Sequence, residues 1–310
     1  LPLAKQKRIV ATYFREYRKT FLGVDDGGAL ESPEEHFAPL LQRDHVFSHA
    51  WTLAGRDREL EKLIALTDRA PREITLLVGS GGIGKSRLMR ALADAYRKKY
   101  PDHAVFILSA GRVPSSTDFD VLAEQPSLLI IEDAHEHPQI RAFLATLARV
   151  TSPVRLLITA RPYAAQLIRS EALQTGLRAD DEGTITLQSL TIDQAESVAR
   201  EILADRKGPV RLARDIARLT RGSSLALVVG SYLVATARIH PSVLNNSQQF
   251  RDELFGRFRD ALTAQIGPES QREIIRDTLN LIALLQPIDL DSPALDSLAE
   301  HVLQLRIVKV

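Results

Sequence analysis

A glycine-rich loop holds the residues best suited to chemistry. Its sequence fits the pattern G-x-x-x-x-G-K-[S/T] and reads Gly79-Ser80-Gly81-Gly82-Ile83-Gly84-Lys85-Ser86, with Arg87 directly after it. Glycines let successive backbone N–H groups curl around phosphates, and the N-terminus of a following helix favours the same anions. Lys85 is expected to neutralise the β- and γ-phosphates, and the Ser86 hydroxyl to ligate Mg²⁺. The alternative is a glycine turn with a chance Lys-Ser pair, but an apolar run before the loop and a helical pattern after it favour nucleotide binding.

An acidic pair follows a second apolar run, Leu128 to Ile131. Glu132 is expected at the metal side, and Asp133 as the general base that polarises the attacking water, at the tip of a strand that neighbours the loop. In the sequence, the apolar run Ala104 to Leu108 lies between the loop and the acidic pair. This order favours the branch of P-loop folds that has an additional catalytic acid. The metal-side position is usually Asp, so the longer Glu132 is a departure. The alternative is an acidic strand end that faces solvent.

A cationic residue ends the next apolar run, which continues into Thr159-Ala160-Arg161-Pro162. The tip of this strand is expected beside the γ-phosphate, so Arg161 is a candidate sensor that distinguishes ATP from ADP. An arginine before proline at a strand end is also an ordinary surface feature, and this alternative stays open.

The elements that must position these residues alternate between short apolar runs and helical periodicity. This alternation predicts an α/β fold, a P-loop NTPase parallel sheet with helices on both faces. The predicted strands are Ile74–Val78, Ala104–Leu108, Leu128–Ile131, Val154–Ile158 and Ile185–Leu187. After Leu190 only helical patterns follow, with Thr191, Ser223 and Ser247 as candidate N-caps. The predicted helices of this lid are Ile192–Ala204, Val210–Leu219, Ser224–Ala237 and Ser247–Leu262.

Four regions are predicted along the chain: an N-terminal extension or linker at residues 1–50, a nucleotide-binding domain at 51–190, a helical lid at 191–265 and the truncated start of a winged-helix-like domain at 266–310. The extension includes a helical stretch near Lys5–Thr20, and the last region ends in a strand at Leu305–Val310. Because residue 1 is Leu and the only Met is Met89, we expect the chain to be a fragment of a longer protein.

Composition excludes several classes of protein. The 310 residues include 40 Lys and Arg against 39 Asp and Glu, a net charge of +1, so neither a polyanion-coating protein nor an acidic tail is expected. With no Cys there is neither a disulfide framework nor a thiolate metal site, which favours a cytoplasmic location. No apolar run reaches the roughly 18 residues of a membrane span, and Leu225–Ala237 is expected to be a buried core helix.

The pattern as a whole resembles the STAND signal-transducing ATPases, the group that contains the NB-ARC and NACHT proteins. The resemblance runs in register from Leu53 to about Val234. It rests on Gly55-Arg56-Asp57 before the loop, Gly81-Gly82-Ile83-Gly84-Lys85, Glu132-Asp133-Ala134-His135, Thr159-Ala160-Arg161, Leu187-Gln188-Ser189-Leu190-Thr191 and Gly222-Ser223-Ser224-Leu225-Ala226.

The resemblance implies a nucleotide-driven cycle. An ADP-bound closed monomer would exchange ADP for ATP after a trigger, then form a homo-oligomer that activates a fused effector outside this segment. It also implies that backbone near Leu53 and the Arg56 side chain lie near adenine and ribose, and that Leu225 covers the base. Ser224 stands where the family has a proline that packs against adenine, so this contact is weakened here.

Weaker signals and rival functions remain. Seven cations between Arg200 and Arg221 could contact nucleic acid, but interleaved acids favour a solvated helix face. His135 and His137 lack the spacing of a transition-metal site. The rivals are an AAA+ ATPase that remodels proteins or handles DNA, and a scaffold that binds nucleotide without hydrolysing it.

Overall fold

A computed structural model of the chain describes residues 28–41, 51–69, 73–109, 112–137, 139–221 and 223–263. The helix predicted near Lys5–Thr20 and the winged-helix region predicted at 266–310 lie outside the described residues. The chain divides into two compact units, Leu1–Thr236 and Ala237–Val310. The domain boundaries expected near residues 50, 190 and 265 stay predictions.

The first unit is built on a six-stranded sheet with the order β1-β3-β4-β5-β2-β6. Its strands are β1 (Leu30–Glu31), β2 (Ile74–Val78), β3 (Ala104–Leu108), β4 (Ser127–Ile131), β5 (Val154–Ala160) and β6 (Thr184–Thr186). All neighbours pair in parallel except β1, which lies antiparallel to β3 at one edge. The predicted parallel sheet is therefore confirmed, with strand ends that differ from the prediction by up to two residues.

The central strands are mostly apolar because both faces of the sheet are covered. On β4, Leu129 and Ile131 pack into one core cluster, while Leu128 and Ile130 pack into a second. This alternation is the period of two expected for side chains along a strand. The sheet thus separates two apolar layers, each of which must be closed by helices.

Helices close both layers. Within the described part of the first unit the α-helices are α1 (Pro33–Phe37), α2 (Asp57–Leu66), α3 (Lys85–Lys99), α4 (Ser116–Glu124), α5 (Ile140–Leu147), α6 (Ala165–Gln174), α7 (Ile192–Asp205), α8 (Ala213–Leu219) and α9 (Ser224–Ala235). Side chains of α2 and α3, such as Leu63 and Leu92, belong to one cluster, while those of α5 and α6, such as Leu144 and Ile168, belong to the other. The helices on both faces agree with the predicted fold class.

The order of the strands corrects one expectation. The acidic pair follows β4, which is not the neighbour of the loop strand β2, since β5 lies between them. The carboxyl ends of parallel strands still meet at one edge of the sheet, where ligands bind in open α/β folds. Because β5 lies between β4 and β2, its carboxyl end, just before Arg161, lies between the loop and the acidic pair.

Residues 28–41 are part of the sheet domain in a way that the sequence does not indicate. Within the predicted extension or linker, β1 pairs Leu30 with Leu108 and Glu31 with Ile107. A capping box between Ser32 and Glu35 starts α1 directly afterwards. This segment adds an edge strand and a short helix beside the carboxyl end of β3.

The helices α7, α8 and α9 pack against one another after β6. Thr191 and Ser223 cap α7 and α9, as predicted, because their side-chain oxygens accept hydrogen bonds from Gln194 N and Ala226 N. Most of α9 is buried, which confirms the core helix expected from its apolar run. None of the helices in the described ranges combines the length and apolar character needed to cross a bilayer.

The second unit is described as far as residue 263. It contains a 3₁₀ turn, Pro241–Asn245, and helix α10 (Ser247–Thr263). The side chain of Asn246, and not the predicted Ser247, accepts hydrogen bonds from Gln248 N and Gln249 N at 3.0 and 3.1 Å. Asparagine is among the preferred capping residues, so the helix begins as expected with the cap one residue earlier.

Candidate functional site

The glycine-rich loop connects β2 to α3, as predicted, and Gly84 is the N-cap of that helix. The Lys85 side chain is 7% exposed, and its Nζ donates to the carbonyl oxygen of Gly79 at 2.9 Å. Lys85 Nζ also lies 3.5 Å from Asp133 Oδ1. Burial lowers the pKa of the Lys85 ammonium; the Asp133 carboxylate opposes this shift and the Arg161 charge adds to it. The loop thus holds a buried cation at the start of a helix.

The carboxylate of Glu132 is held on both oxygens. Its Oε1 accepts a hydrogen bond from the Ser86 hydroxyl at 3.0 Å, and its Oε2 lies 3.4 Å from His36 Nε2. Burial works against ionisation, but His36, Ser86 and Lys85 together hold the pKa of Glu132 below its usual value. Burial likewise opposes protonation of His36, yet the carboxylates of Glu132 and Glu31 raise its pKa. The two residues predicted to hold Mg²⁺, Ser86 and Glu132, are therefore brought together, and His36 is a partner that sequence reasoning missed.

Asp133 has the strained backbone that is often found at functional sites. Its φ of 38° and ψ of 57° lie in the left-handed region, which non-glycine residues seldom adopt. The fully buried hydroxyl of Thr159 accepts a hydrogen bond from Asp133 N at 2.8 Å and so holds this conformation. Asp133 Oδ1 is buried and has no hydrogen-bond partner among the described residues. An acceptor without a hydrogen bond from any described residue is thus presented towards the loop, 3.5 Å from the Lys85 ammonium.

Arg161 extends from the end of β5 over the glycine-rich loop. A side chain at Gly81 would collide with the Arg161 guanidinium, so the close approach of the two requires glycine there. The Nε of Arg161 is buried and forms no hydrogen bond within the described part of the chain. The predicted sensor is therefore placed against the loop with unused donor capacity.

The start of α9 is bonded directly to the loop. Leu225 N donates to the carbonyl oxygen of Gly82 at 2.9 Å, and the Ser224 hydroxyl donates to the carbonyl oxygen of Ile83 at 3.0 Å. Gly82 has a φ of +70°, and a Cβ there would lie 2.8 Å from the Leu225 Cβ. Proline, expected at 224 from the family resemblance, has no hydroxyl to donate. Ser224 thus ties the start of α9 to the loop by a hydrogen bond that a proline at this position could not donate.

Residues 51–54 form the opposite wall and are held by polar side chains from α3 and α7. Arg87 donates to the carbonyl oxygen of Trp51 at 3.2 and 2.9 Å. The Oε1 of Glu201 accepts hydrogen bonds from Thr52 N and from the Thr52 hydroxyl, each at 3.0 Å. Trp51 is 5% exposed, and its indole N–H has no partner among the described residues. The guanidinium of Arg87 is thus bound to the wall, and contact between Arg87 and nucleotide stays a prediction.

Arg56 is likewise occupied by the protein. Its guanidinium donates to the carbonyl oxygens of Gln188 at 2.6 Å and Ile83 at 3.3 Å, and pairs with Glu59 at 2.8 Å. These contacts join the loop, the segment after β6 and helix α2, and they leave the residue only 5% exposed. Contact between Arg56 and ribose stays a prediction.

A cavity of about 330 Å³ lies between these walls. It is lined by all of the predicted loop residues except Gly79, together with Leu40, Trp51, Thr52, Leu53, Ala54, Arg56, Arg87, Asp133, Arg161, Leu190, Val198, Ser224, Leu225, Leu227 and Val228. One end is cationic and rich in backbone N–H groups, while the other is apolar. This volume is within the range of small-molecule sites, and the polarity suits a ligand with a phosphate tail and a flat apolar head.

Several arginines of α7 and α8 pair with acids on the same helices, the arrangement expected of a solvated helix face. Arg214 pairs with Glu196 at 2.8 Å, Arg200 pairs with the same carboxylate, and Arg218 lies 4.0 Å from Asp215. Among the described residues, no group of three or more His, Asp or Glu side chains is arranged to hold a metal ion.

Comparisons with solved structures find similar chains at low sequence identity. The yeast (S. cerevisiae) Hsp104:casein complex has 14% identity over 67% of this chain and 41% of that chain, with a TM-score of 0.49. Domain III of the Thermotoga maritima replication initiation protein DnaA has 15% identity over 64% and 92%, with a TM-score of 0.44. The Aeropyrum pernix ORC1 protein in complex with DNA has 12% identity over 83% and 77%, with a TM-score of 0.48.

The chain spans about two fifths of the length of the Hsp104 chains that it matches. No curated protein matches its sequence. The profile of a protein family, described as the AAA ATPase domain, matches residues 52–306. This match covers most of the chain and includes the loop, the acidic pair and Arg161. The chain therefore belongs to the AAA ATPase domain family.

Proposed function

We propose that this chain binds ATP with Mg²⁺ at the glycine-rich loop and hydrolyses it, and that hydrolysis changes the contacts between the loop and helices α7–α9. The observation that carries the proposal is the convergence of Lys85, Glu132, Asp133 and Arg161 on one loop from three strand ends. Membership of the AAA ATPase domain family supports the ATPase activity.

The residues fit a nucleotide. Gly81 lies where any larger residue would displace Arg161, and the Arg161 Nε is a buried donor without a hydrogen-bond partner in the described ranges. Buried donors of this kind are costly unless a ligand completes them. Ser86 and Glu132 supply a hydroxyl and a carboxylate, the oxygen ligands that Mg²⁺ uses together with the phosphates of its substrate.

In this proposal Lys85 and the loop N–H groups hold the β- and γ-phosphates, and Ser86 and Glu132 hold the metal. Bound Mg²⁺ would supply positive charge that offsets the negative charge of the phosphates. Arg161 would stabilise the charge on the γ-phosphate during transfer. The buried and crowded cations of this edge are thereby neutralised by the substrate.

Asp133 is the proposed general base. Its Oδ1 would accept a proton from water as the water oxygen bonds to the γ-phosphorus and the bond to the ADP oxygen breaks. The Thr159 hydroxyl fixes the backbone of Asp133, so the carboxylate is aimed before substrate arrives.

The apolar end of the cavity is proposed to hold the base. Leu53 and Leu225 would contact adenine, while Arg56 and Arg87 act through the carbonyl oxygens that they bind and so position the wall. A second copy of the chain is a proposed partner, since nucleotide-dependent assembly is expected for both functions considered next.

The family match favours a motor that remodels a protein or handles DNA. A second candidate, the STAND type of signalling switch, is favoured by the bonds from Ser224 and Leu225 to the loop, because a lid tied to the loop responds directly to nucleotide. In the switch, exchange of ADP for ATP would control a homo-oligomer and a fused effector. Steady turnover that DNA stimulates favours the motor, whereas nucleotide retained through gel filtration with about one turnover favours the switch.

The site is tested by separating binding from hydrolysis. Lys85→Ala is expected to weaken binding of a fluorescent ATP analogue by ~100-fold or more, because a buried charged partner of the phosphates is lost. Asp133→Asn should bind normally but hydrolyse ~10²–10⁴-fold more slowly in single turnover; Asn tolerates the left-handed backbone. Lys62→Ala, on the exposed face of α2, is the matched control.

Two results would contradict the proposal. Normal binding by Lys85→Ala would remove the loop as the nucleotide site. Equal hydrolysis by Asp133→Asn and the unchanged protein would remove the general base and leave a scaffold that binds nucleotide.

A further inference from the structure

The contact between His36 and Glu132 joins the N-terminal segment, residues 28–41, to the proposed metal side of the site. The antiparallel pairing of β1 with β3 fixes this segment at the sheet edge. The capping box at Ser32 then starts α1, which carries His36 to the carboxyl end of β4. The side chain of His36 is 11% exposed and packs edge-on against Phe37, with ring centroids 4.7 Å apart.

Both ring nitrogens of His36 are used. Nδ1 lies 3.0 Å from Glu31 Oε2 and 3.1 Å from the Ser109 hydroxyl, while Nε2 lies 3.4 Å from Glu132 Oε2. The Ser109 hydroxyl donates to the same Glu31 oxygen at 3.0 Å, and Arg112 pairs with the other at 2.9 Å. Glu31 is therefore anchored independently, and it fixes the plane of the imidazole ring.

The other oxygen of Glu132 is bound by Ser86, so the carboxylate is held between the loop and His36. A carboxylate held at only one oxygen can rotate about its last bond, whereas two partners on opposite oxygens fix its orientation. The length of glutamate also becomes understandable, because the side chain must reach from β4 past β5 to Ser86 and also meet α1.

We propose that His36 is a positioning residue for Glu132, and that the N-terminal segment thereby sets how tightly the site holds Mg²⁺ with nucleotide. The inference rests on the proposed function. The same segment also supplies Leu40 to the cavity wall, so it contributes at two points. A change in the docking of β1 and α1 would change the affinity of the site for Mg²⁺ and would leave the phosphate contacts of Lys85 unaffected.

The test compares His36→Asn with His36→Gln. An Asn amide reaches the position of Nδ1, beside Glu31, but not that of Nε2; a Gln amide reaches the position of Nε2 and can donate to Glu132. The measurement is the Mg²⁺ concentration that gives half-maximal binding of a fluorescent ATP analogue, together with binding of the analogue in excess EDTA. Thermal unfolding of both variants shows that each is folded at the temperature used.

His36→Asn should raise the required Mg²⁺ concentration about tenfold, the usual effect of losing an outer partner of a metal ligand, and His36→Gln should restore most of the loss. Binding in EDTA should be unchanged in both. A magnesium requirement equal to that of the unchanged protein in His36→Asn, or an equal increase in both variants, overturns the inference.

Failure of the proposed function gives a different result. If the unchanged protein shows no magnesium-dependent binding of the analogue, the nucleotide site and this inference are both rejected. If binding depends on Mg²⁺ and on Lys85 while His36→Asn behaves normally, only the role of His36 is rejected.

Discussion

Strand β5 has an arginine near each end, and the two have different surroundings. Near its start, Arg155 donates its Nε–H to the carbonyl oxygen of Thr67, and the guanidinium lies 5.3 Å from the centroid of the Tyr100 ring. Just beyond its end, Arg161 lies against Gly81, and its buried Nε has no hydrogen-bond partner in the described residues. Among the described residues each arginine keeps one buried nitrogen without a hydrogen-bond partner, Nη1 of Arg155 and Nε of Arg161. The two therefore differ in what lies beside them, a backbone carbonyl and a tyrosine ring for Arg155 and the cavity at the glycine-rich loop for Arg161.

The same contrast holds for the two edges of the sheet. At the amino edge, cations face carboxylates: Arg69 pairs with Glu73 at 2.7 Å and also with Asp180, and Lys99 pairs with Asp68 at 2.7 Å. At the carboxyl edge, the Asp133 carboxylate lies 3.5 Å from Lys85, yet burial and the charge of Arg161 both lower the Lys85 pKa. A group whose pKa is shifted by burial and by a neighbouring charge is a candidate for function.

Of the changes that test this contrast, replacing Arg161 should have the largest effect. Arg161→Gln removes the charge aimed at the γ-phosphate, and single-turnover ATP hydrolysis is expected to fall ~100-fold while ADP binding changes little. Measuring both constants separates this role from general damage to the site.

The matched change at the other end of the strand is Arg155→Gln. It should lower the free energy of unfolding by about 1–2 kcal/mol through the lost hydrogen bond and ring contact, and leave hydrolysis nearly unchanged. Similar kinetic losses in the two variants would show that the ends of β5 do not differ as described.

Replacing Thr159 tests whether the left-handed backbone conformation of Asp133 contributes to the rate of hydrolysis. Thr159→Val keeps the shape but leaves Asp133 N without its acceptor, and we expect kcat to fall about tenfold with KM unchanged, in line with one lost hydrogen bond. Thr159→Ser, which keeps the hydroxyl, should recover most of the rate. If Val and Ser variants are equally slow, packing and not the hydrogen bond holds Asp133.

The sequence was informative wherever a local pattern reports on burial. Short, mostly apolar runs predicted the five parallel strands because most of their side chains are buried, and the loop pattern predicted the strand, glycine turn and helix around Lys85. Caps at Thr191 and Ser223 were predictable because they depend on bonds within three residues.

Contacts between distant residues could not be predicted in this way. β1 has only two residues and follows a glycine-rich stretch, so neither periodicity nor propensity indicates it. Glu201 binds Thr52 across 149 positions, and Arg56 binds Gln188 across 132. An isolated polar residue has no periodic signal, so the partners of Glu132 and Asp133, namely His36 and Thr159, are visible only in the folded chain.

The smallest effect is expected at the amino edge, for Asp180→Asn. Arg69 and the backbone N–H of Gly183 hold the pKa of Asp180 at about 2, while the side chain is 47% exposed. Since the folded-state pKa is lowered, the stabilisation is complete above the usual pKa of 3.8 and is lost as pH falls through about 2. Screening by solvent limits the cost of the substitution to below ~1 kcal/mol at neutral pH.

Denaturant unfolding of Asp180→Asn and the unchanged protein from pH 7 to pH 2 measures this difference, which should shrink as the pH falls. Asparagine keeps an oxygen for Gly183 N, so the substitution removes the charge with little change of shape. Nucleotide binding should be the same in both proteins at neutral pH. A binding defect here, at the edge opposite Lys85, would mean that the ion pairs of the amino edge also shape the site, and the division between a stabilising edge and a ligand-binding edge would no longer hold.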